Sequence, residues 1–448
     1  MGYKRYEKYK DSGVEWIGEI PEEWNAYRLK NSIKSCKTGI WGDEPEGNSN
    51  DISCIRVTDF NRVNMEVSID NLTLRSLPKN KQKEYLLKKG DLLIEKSGGG
   101  EKQPVGFVVA YNHDLPAIYS NFIARMELDS NIAHPGFFKY VHAAMYSIRL
   151  NTRSIKQTTG IQNLDTGYYF NEIVPYPPVE EQNKICAFLE QKTGEIDSLI
   201  ANKEKLIQLL QEKRQAIITE AVTKGLDPNV PMKDSGVEWI GEIPEGWSIT
   251  KIKYICSESA VYGLNETADN YEDDGVRLIR TTDINEFGNL DDKINGVFIS
   301  EEKAKGYILK TGDILLSRSG SVGLSLYFDE EKYGKCSYAS YLVKFRTNRF
   351  NCPRYLFYFT KSDSFYHQIQ TALVSSTISN FNGQKYANIK LPLPSYFEQT
   401  AIANFLDQKT AEIDSLIADI QTQIAKLKEY RQSIIYEAVT GKIDVRNL

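Results

Sequence analysis

The chain has 448 residues, a length typical of two or three domains. Hydrophobic residues make up 41% and charged residues 26%, and neither the six scattered cysteines nor the four histidines show the paired spacing of a disulfide framework or a metal centre. The formal charge of −5 does not by itself indicate nucleic acid, because nucleic-acid-binding domains are usually basic. Without a signal segment or an apolar run long enough to span a bilayer, we expect a cytoplasmic protein with no membrane partner.

A thirteen-residue segment occurs twice without a single change. KDSGVEWIGEIPE spans Lys10–Glu22 and recurs at Lys233–Glu245, and each copy is followed two residues later by a tryptophan, Trp24 or Trp247. Identical segments this far apart indicate a duplicated unit. We therefore assign residues 1–24 to an N-terminal motif and residues 227–247 to a linker with the second motif.

A longer repeat predicts two related helical regions, at 179–226 and 395–448. Glu181–Thr223 aligns with Glu398–Thr440, and each copy begins after prolines and ends before a glycine that is expected to stop the helix, Gly225 or Gly441. In each copy we expect a short helix followed by a longer one. The short helices should run to about Lys192 and Lys409, and the N-caps of the longer ones should be Thr193 and Thr410.

Apolar residues recur at alternating steps of four and three along each longer helix, which is the pattern of a coiled-coil seam. The predicted seam and partner-docking residues are Ile196, Ile200, Ile207, Leu210 and Ile217 in the first copy and Ile413, Ile417, Ile424, Leu427 and Ile434 in the second. An antiparallel intramolecular coiled coil would bury both seams, and packing of each helix on its own domain is the alternative. Arg214 and Arg431 interrupt the seams at equivalent places, where we expect them to snorkel to solvent rather than to fix the register.

The order of short motif, variable region and helical region occurs twice along the chain. The first motif and the last helical region lie at the two ends of the chain. If the ends met, they would form a second copy of the central unit, in which a helical region is followed by a motif. This order predicts a cyclic architecture with pseudo-twofold symmetry. The variable regions, 25–178 and 248–394, contain short β-rich runs and fewer helical stretches, so we expect an α+β chain with two mixed α/β domains.

Weak similarities between the variable regions identify candidate binding residues. A basic residue, a hydroxyl and a glycine follow a predicted strand in both regions, a combination that suits contacts with phosphates or base edges. A second polar stretch is also shared. The candidate DNA-binding residues are Lys96, Ser97, Lys156, Thr158, Gln162 and Asn163 in the first region and Arg318, Ser319, Ser375, Ser379 and Asn380 in the second. Ordinary turn chemistry is the alternative for any one of them.

Charge is distributed unevenly along the chain. The formal charge is +5 over residues 25–160, −7 over residues 161–247 and −1 over residues 248–374. A basic first domain favours DNA contact, and an acidic centre is typical of a surface that docks basic proteins. We therefore expect weak DNA binding by the isolated chain and tighter binding in an assembled complex.

The repeats GVEWIGEIPE-x-W, E-Q-x-x-I-x-x-F-L and R-Q-x-I-I-x-E-A-V-T resemble those of the specificity (S) subunit of type I restriction-modification systems, over essentially the whole chain. The resemblance implies two DNA target recognition domains, each of which reads half of a bipartite, asymmetric site on double-stranded DNA. It implies that the helical regions separate the domains and dock two methyltransferase (M) subunits, which restriction/translocase (R) subunits join.

The resemblance also implies that this chain is not an enzyme. No Asn/Asp-Pro-Pro-Tyr/Phe methyltransferase motif and no GxxxxGK[ST] nucleotide loop occur in the sequence, which agrees with that expectation. S-adenosylmethionine, ATP and magnesium are expected on the partner subunits, with no cofactor, metal or catalytic residue in this chain. A coiled-coil adaptor without sequence-specific DNA binding stays open as an alternative, although it explains neither variable region.

Overall fold

The computed structural model describes residues 3–158, 160–291, 294–374 and 381–446. They form two compact units, of which unit 1 contains Met1–Lys203 and Gln421–Leu448 and unit 2 contains Glu204–Ile420. Two long helices each contribute one half to unit 1 and the other half to unit 2. In the part of the chain that the structure describes, no helix combines the length and the apolar character that a membrane crossing needs.

Unit 1 consists mainly of short strands. They are β1 (Tyr9–Asp11), β2 (Glu19–Pro21), β3 (Asn25–Arg28), β4 (Ile33–Thr38), β5 (Asp51–Ile55), β6 (Phe60–Asn61), β7 (Glu66–Val67), β8 (Thr73–Ser76), β9 (Asp91–Glu95), β10 (Ser97–Gly98), β11 (Val108–Tyr111), β12 (Ala117–Tyr119), β13 (Ile123–Leu128), β14 (Ile155–Thr158), β15 (Ile161–Leu164) and β16 (Ile173–Tyr176). The helices are α1 (Lys79–Tyr85), α2 (Pro135–Ser147), α3 (Thr166–Tyr169) and the first half of α4 (Val179–Lys224).

Unit 2 is also built of short strands and helices, with fewer strands than unit 1 among the described residues. They are β17 (Met232–Asp234), β18 (Glu242–Pro244), β19 (Ser248–Lys251), β20 (Cys256–Tyr262), β21 (Val276–Ile279), β22 (Val297–Ile299), β23 (Asp313–Ser317), β24 (Ser325–Tyr327), β25 (Cys336–Tyr338), β26 (Leu342–Thr347) and β27 (Lys390–Leu393). The helices are α5 (Ile252–Ile255), α6 (Glu301–Ala304), α7 (Glu330–Tyr333), α8 (Pro353–Phe359), α9 (Asp363–Val374), α10 (Gly383–Ala387) and α11 (Tyr396–Val439), whose second half belongs to unit 1.

The repeated thirteen-residue motif forms the same β-hairpin in both units. Strands β1 and β2 pair antiparallel with Lys10 opposite Ile20, and β17 and β18 pair with Lys233 opposite Ile243. The tryptophan that follows each hairpin is buried, since Trp24 is 0% and Trp247 3% exposed. The hairpins are therefore packed parts of the two units.

The central sheets of the two units share the order of four equivalent strands, and the sheet of unit 1 has two more strands at one edge. In unit 1 the order is β4-β13-β9-β11-β7-β6, antiparallel except where β11 pairs with β7. In unit 2 the order is β20-β26-β23-β24, entirely antiparallel. The inner strands β9 and β23 are buried along their whole length, so these sheets form the centre of each domain. The predicted mixed α/β character of both variable regions is confirmed.

A short sequence echo, IRVTD and IRTTD, forms the same capped turn in both units. Arg56 pairs with Asp59 at 3.0 Å, and Arg280 pairs with Asp283 at 2.7 Å. In each turn the carboxylate also accepts a hydrogen bond from the arginine backbone N–H. This reciprocal capping explains why the arginine and the aspartate persist where the surrounding residues have diverged.

Each helical region is a single continuous helix, so the prediction of a short helix followed by a longer one is wrong. The proposed N-cap Thr193 lies within α4, where its hydroxyl donates to the Leu189 carbonyl at 2.7 Å, and Thr410 in α11 donates to the Leu406 carbonyl at the same distance. A threonine hydroxyl bonded to the carbonyl four residues earlier is compatible with an uninterrupted helix. The predicted helix stops are confirmed, because Gly225 and Gly441 have φ values of +79° and +75°.

The two long helices pair antiparallel. In unit 1, Asp197 of α4 pairs with Arg431 of α11. Six residues further along α4, the Lys203 ammonium donates a hydrogen bond to the Gln423 side-chain oxygen at 2.6 Å, eight residues earlier in α11, so the helices run in opposite directions. The predicted coiled coil is thereby confirmed. Of the predicted seam residues, Ile196, Ile200, Ile413, Ile417, Ile424 and Ile434 are buried, and Ile207, Leu210, Ile217 and Leu427 are half-buried.

The two seam arginines do not snorkel to solvent, which corrects the sequence-based expectation. Arg431 binds both carboxylate oxygens of Asp197, at 2.8 and 3.1 Å, and Arg214 binds both oxygens of Asp414 in unit 2, at 2.9 and 3.3 Å. Both arginine side chains are only 13% exposed. Bidentate pairs of this geometry fix the relative position of the two helices, so the arginines define the register.

The two ends of the chain meet in unit 1. The Asp444 backbone N–H donates to the Lys4 carbonyl at 2.8 Å, and the Tyr9 hydroxyl donates to the Gly441 carbonyl at 3.0 Å. The N-terminal hairpin therefore packs at the end of α11, as the second hairpin packs near the end of α4, where Trp247 lies beside Gly225. This arrangement confirms the cyclic order of parts expected from the repeats.

A buried histidine makes the stability of unit 1 sensitive to acid. The ring of His142 on α2 is fully buried, its Nδ1 lies 2.9 Å from the Tyr169 hydroxyl, and burial lowers its pKa to about 3. The unfolded chain, with a histidine pKa near ~6.5, binds the proton between these values, so stability is lost as the pH falls below ~6.5. We expect a loss of roughly 1.4 kcal/mol per pH unit.

Urea unfolding at pH 7 and pH 5 measures this loss. The matched variant His142→Gln, which cannot titrate in this range, should lose less stability over the same interval. Equal pH dependence in the two proteins would contradict the assignment to His142.

Candidate nucleic-acid interface

The loops that follow strands β9 and β23 are anchored in the same way in the two units. The Lys96 backbone N–H donates to the Phe122 carbonyl at 2.8 Å, and the Arg318 backbone N–H donates to the Tyr341 carbonyl at 3.0 Å. Each loop is thus joined through its backbone to a residue with an exposed aromatic side chain, Phe122 or Tyr341. The predicted basic residues therefore occupy equivalent positions on two similar scaffolds.

Three of the predicted residues of unit 1 form a row across a small sheet. Ser97 on β10 lies opposite Asn163 on β15, which lies opposite Lys156 on β14. The Ser97 hydroxyl donates to Asn163 Oδ1 at 2.6 Å. Lys156 pairs with Asp165 at 2.7 Å, and this bond lowers the pKa of the aspartate. Because adjacent strands place directly opposite residues on one face, the row presents a hydroxyl, an amide and a cation together.

The other predicted residues of unit 1 occupy different surroundings. Lys96 donates through Nζ to Thr38 Oγ1 at 2.9 Å and is half-buried. Gln162 is only 9% exposed, and its side-chain oxygen accepts a hydrogen bond from the Val105 backbone N–H at 3.3 Å. Thr158 ends strand β14. Gln162 therefore supports the neighbouring loop from inside, and a DNA contact for it stays a prediction.

In unit 2, Arg318 lies between two aromatic rings. Its guanidinium carbon lies 5.2 Å from the ring centre of Tyr262 and 5.9 Å from that of Tyr341. Both rings are accessible, at 39% and 58% exposure. Among the described residues, no carboxylate pairs with this guanidinium, whereas Arg280, Arg346 and Arg354 in the same unit each have one. Arg318 is thus a positioned cation without a carboxylate partner; its Nε is buried, so a ligand would be met by the terminal amino groups.

The remaining predicted residues of unit 2 divide into two groups. Ser319 follows Arg318 in the loop and is half-buried. Ser375, Ser379 and Asn380 lie outside the described residues. The next described residue, Phe381, donates its backbone N–H to the Arg318 carbonyl at 2.9 Å. Phe381, which follows the predicted polar stretch in the sequence, is therefore hydrogen-bonded to the Arg318 loop.

A cavity of about 460 Å³ opens beside the Ser97 loop in unit 1. Its lining includes Trp41, Arg56, Thr58, Glu95, Asn121 and Phe122. Glu95, the last residue of β9, is 2% exposed and pairs with Arg62 at 2.7 Å. Burial raises the pKa of Glu95, and the nearby guanidinium opposes that rise. Glu95 is not among the DNA-binding residues predicted from the sequence.

Sequence reasoning missed the aromatic residues of both sites. Phe122 and Tyr341 occupy equivalent positions in YSNF and YASY, a similarity too weak to detect without the fold. A second weak echo, TGIW and YGLN, contains Gly39 and Gly263. A Cβ atom at Gly39 would lie 2.2 Å from the Tyr119 carbonyl oxygen, and one at Gly263 would lie 2.3 Å from the Tyr338 carbonyl oxygen. These close approaches require glycine and could have marked the equivalent strands.

The chain matches the family model for the type I restriction modification DNA specificity domain twice, over residues 21–210 and 244–426. The two matches include both variable regions and most of both long helices. They account for the variable regions, which a coiled-coil adaptor does not, so that alternative is not supported.

Named relatives and solved structures agree with the family match. The chain is 24% identical over 446 residues to the type I restriction enzyme MjaVIII specificity subunit of Methanocaldococcus jannaschii, covering 96% of this chain and 95% of that protein. It is 26% identical to the EcoBI specificity subunit of Escherichia coli, covering 73% and 70%.

Among solved structures, a chain from a study of complex assembly and conformational transition of the type I R-M system has a TM-score of 0.72. It is 17% identical, and the alignment covers 95% of this chain and 99% of that one. The HsdS subunit from Thermoanaerobacter tengcongensis, also 17% identical, has a TM-score of 0.53 over 95% and 98% of the two chains. At this identity the structures establish the fold.

Proposed function

Because this chain belongs to the type I restriction-modification DNA specificity family, we propose that it binds a bipartite, asymmetric site on double-stranded DNA. Unit 1 reads one half of the site and unit 2 reads the other. The two units share a scaffold, and the side chains on equivalent loops differ. Different side chains at equivalent positions present different donors and acceptors to the bases, so the two half-sites have different sequences.

The observation that carries this proposal is the Arg318 site. A guanidinium held between two accessible tyrosine rings, with no carboxylate partner among the described residues, suits the O6 and N7 acceptors of guanine. Unit 1 has Lys96 and Phe122 at the equivalent positions, with the row of Ser97, Asn163 and Lys156 close by. Each unit thus offers its own set of polar groups to a base edge.

We further propose that the repeated parts dock two methyltransferase subunits, which restriction/translocase subunits join. The segment EIDSLIA is identical in α4 and α11, and its leucines, Leu199 and Leu416, are each 50% exposed. Apolar residues left exposed at the same place in two identical segments support two copies of the same partner. The acidic charge of residues 161–247 favours a basic partner surface.

In this proposal the chain is not itself an enzyme. It directs partner subunits to the DNA site, and those subunits hold S-adenosylmethionine, ATP and magnesium. Methylation or cleavage of DNA by the purified chain alone would contradict this part of the proposal.

Substitution of Arg318 by Ala tests the recognition role. In a binding selection with the full chain and a random double-stranded library, Arg318→Ala should relax the preference at one position of one half-site. The expected cost is about 1–3 kcal/mol, or roughly 5- to 150-fold in affinity for the preferred base.

Two variants control for loss of charge and for the choice of unit. Arg349→Ala removes an exposed cation from the same unit and should leave the base preferences unchanged. Asn163→Ala should alter only the half-site read by unit 1. If Arg318→Ala weakened binding at both half-sites equally, the assignment of Arg318 to base recognition at the half-site of unit 2 would be wrong.

A further inference from the structure

The cavity beside the Ser97 loop contains an acceptor that the protein itself does not use. Glu95 contributes a side chain that is 3% exposed, and its Oε2 is bonded to Arg62 at 2.7 Å. Its Oε1 lies 4.0 Å from the position that a Cβ atom on Gly98 would occupy, and Gly98 lines the cavity. Among the described residues, only Arg62 donates a hydrogen bond to this carboxylate, and it donates to Oε2. A buried carboxylate oxygen that faces a cavity without a donor indicates a missing ligand group.

The walls of the cavity suit a flat ligand. Trp41 and the exposed Phe122 provide aromatic surface, while Ser97 and the exposed Asn121 provide polar groups in the lining. The volume of about 460 Å³ is ample for the edge of a nucleobase. Aromatic surface with a few fixed polar groups is the usual composition of a site that binds a planar ring.

Unit 2 lacks this acceptor. Ser317 stands in the sequence where unit 1 has Glu95, and it is fully buried. The Ser317 hydroxyl donates to the Ser321 carbonyl and accepts a hydrogen bond from the Leu324 backbone N–H at 3.1 Å. Its hydrogen-bonding capacity is therefore used within the loop. The cavity acceptor is a property of unit 1, whereas the Arg318 site of unit 2 offers donors.

We infer that Glu95 reads the exocyclic amino group of cytosine or adenine at one position of the half-site bound by unit 1. Cytosine N4 and adenine N6 donate to a carboxylate in the major groove, whereas guanine O6 and thymine O4 would place an acceptor against it. The Arg62 guanidinium holds the other oxygen of the carboxylate, Oε2, at 2.7 Å. This inference rests on the proposed function, and it assigns the chemistry of one base position.

A binding selection with matched variants tests the inference. The full chain, Glu95→Gln and Glu101→Gln are each selected against a random double-stranded DNA library, and the preference is measured at every position. The wild-type chain should favour cytosine or adenine over guanine and thymine at one position by roughly tenfold. Glu95→Gln should reduce that ratio at least severalfold at this position alone. Glu101→Gln, an exposed residue of the next loop, should preserve it.

The half-site read by unit 2 serves as an internal control for folding. Its preferences should be the same in all three proteins, and the thermal unfolding of Glu95→Gln should show a folded unit 1. An unchanged base profile in Glu95→Gln, or a uniform loss at all positions of its half-site, would overturn the inference. A wild-type chain without any sequence preference would instead contradict the proposed function, and the inference with it.

Discussion

Replacing Asp313 with Ala is expected to destabilise unit 2 by about 3 kcal/mol, because the change leaves a largely buried arginine without its main partner. Asp313 is 0% exposed, and its two carboxylate oxygens accept hydrogen bonds from Arg346 at 2.6 and 2.7 Å. It also accepts the Lys310 backbone N–H at 2.9 Å. Glu258 remains as a second partner of Arg346. For this reason we expect a loss of stability near the lower end of the values typical of breaking a buried ion pair.

The matched variant is Asp91→Ala, at the equivalent position in unit 1. Asp91 lies 3.8 Å from Arg125, and it accepts the Lys88 backbone N–H at 2.8 Å. Burial raises the pKa of Asp91, which indicates that its charge is poorly compensated. We therefore expect a loss of only about 1 kcal/mol from this substitution. Urea unfolding measures both losses, combined with hydrogen exchange over residues 204–420 for Asp313→Ala and over residues 1–203 for Asp91→Ala.

Equal losses in the two variants would show that the ion pair does not stabilise unit 2. The Asp313→Ala variant should also bind DNA with weaker preference at the half-site of unit 2, because β23 ends one residue before Arg318. The half-site of unit 1 should be unaffected.

The long-range architecture could be predicted because the sequence contains each part twice. The identical hairpin segments, the heptad seams and the glycine stops all have the structure that their patterns indicate. Periodicity and duplication are properties of the sequence itself, so they do not depend on knowing which distant residues meet. For the same reason, the cyclic closure of the chain could be inferred from the order of parts.

Predictions that depended on the partner of a single side chain were less successful. Thr193 looked like an N-cap because threonine is common there, yet its hydroxyl is satisfied within the helix. Arg214 looked like a snorkelling residue because its partner, Asp414, is 200 residues away in the sequence. Ser97 and Asn163 were both selected from local patterns, but only the pairing of β10 with β15 brings them together. A sequence pattern identifies candidate polar residues, and the sheet register decides which of them meet.

Replacing Trp24 with Ala is expected to open the closure between the two ends of the chain. The indole is 0% exposed, its Nε1–H donates to Glu181 Oε2 at 3.0 Å, and its ring lies against Gly441 at the end of α11. Replacing the indole by a methyl group would leave a large cavity and would remove the hydrogen-bond donor to the buried Glu181 carboxylate. We expect the free energy of unfolding of unit 1 to fall by about 3–5 kcal/mol.

The two repeats provide a matched comparison, because Trp247 occupies the same place in unit 2 beside Gly225. The second hairpin is covalently continuous with α4, so it stays close to that helix even when its packing weakens. The N-terminal hairpin is joined to the end of α11 only by noncovalent contacts, and loss of packing lets the two segments separate. Trypsin should therefore cleave Trp24→Ala within residues 3–24 much faster than it cleaves Trp247→Ala around Lys233. Similar cleavage rates would mean that Trp24 does not hold the two ends of the chain together.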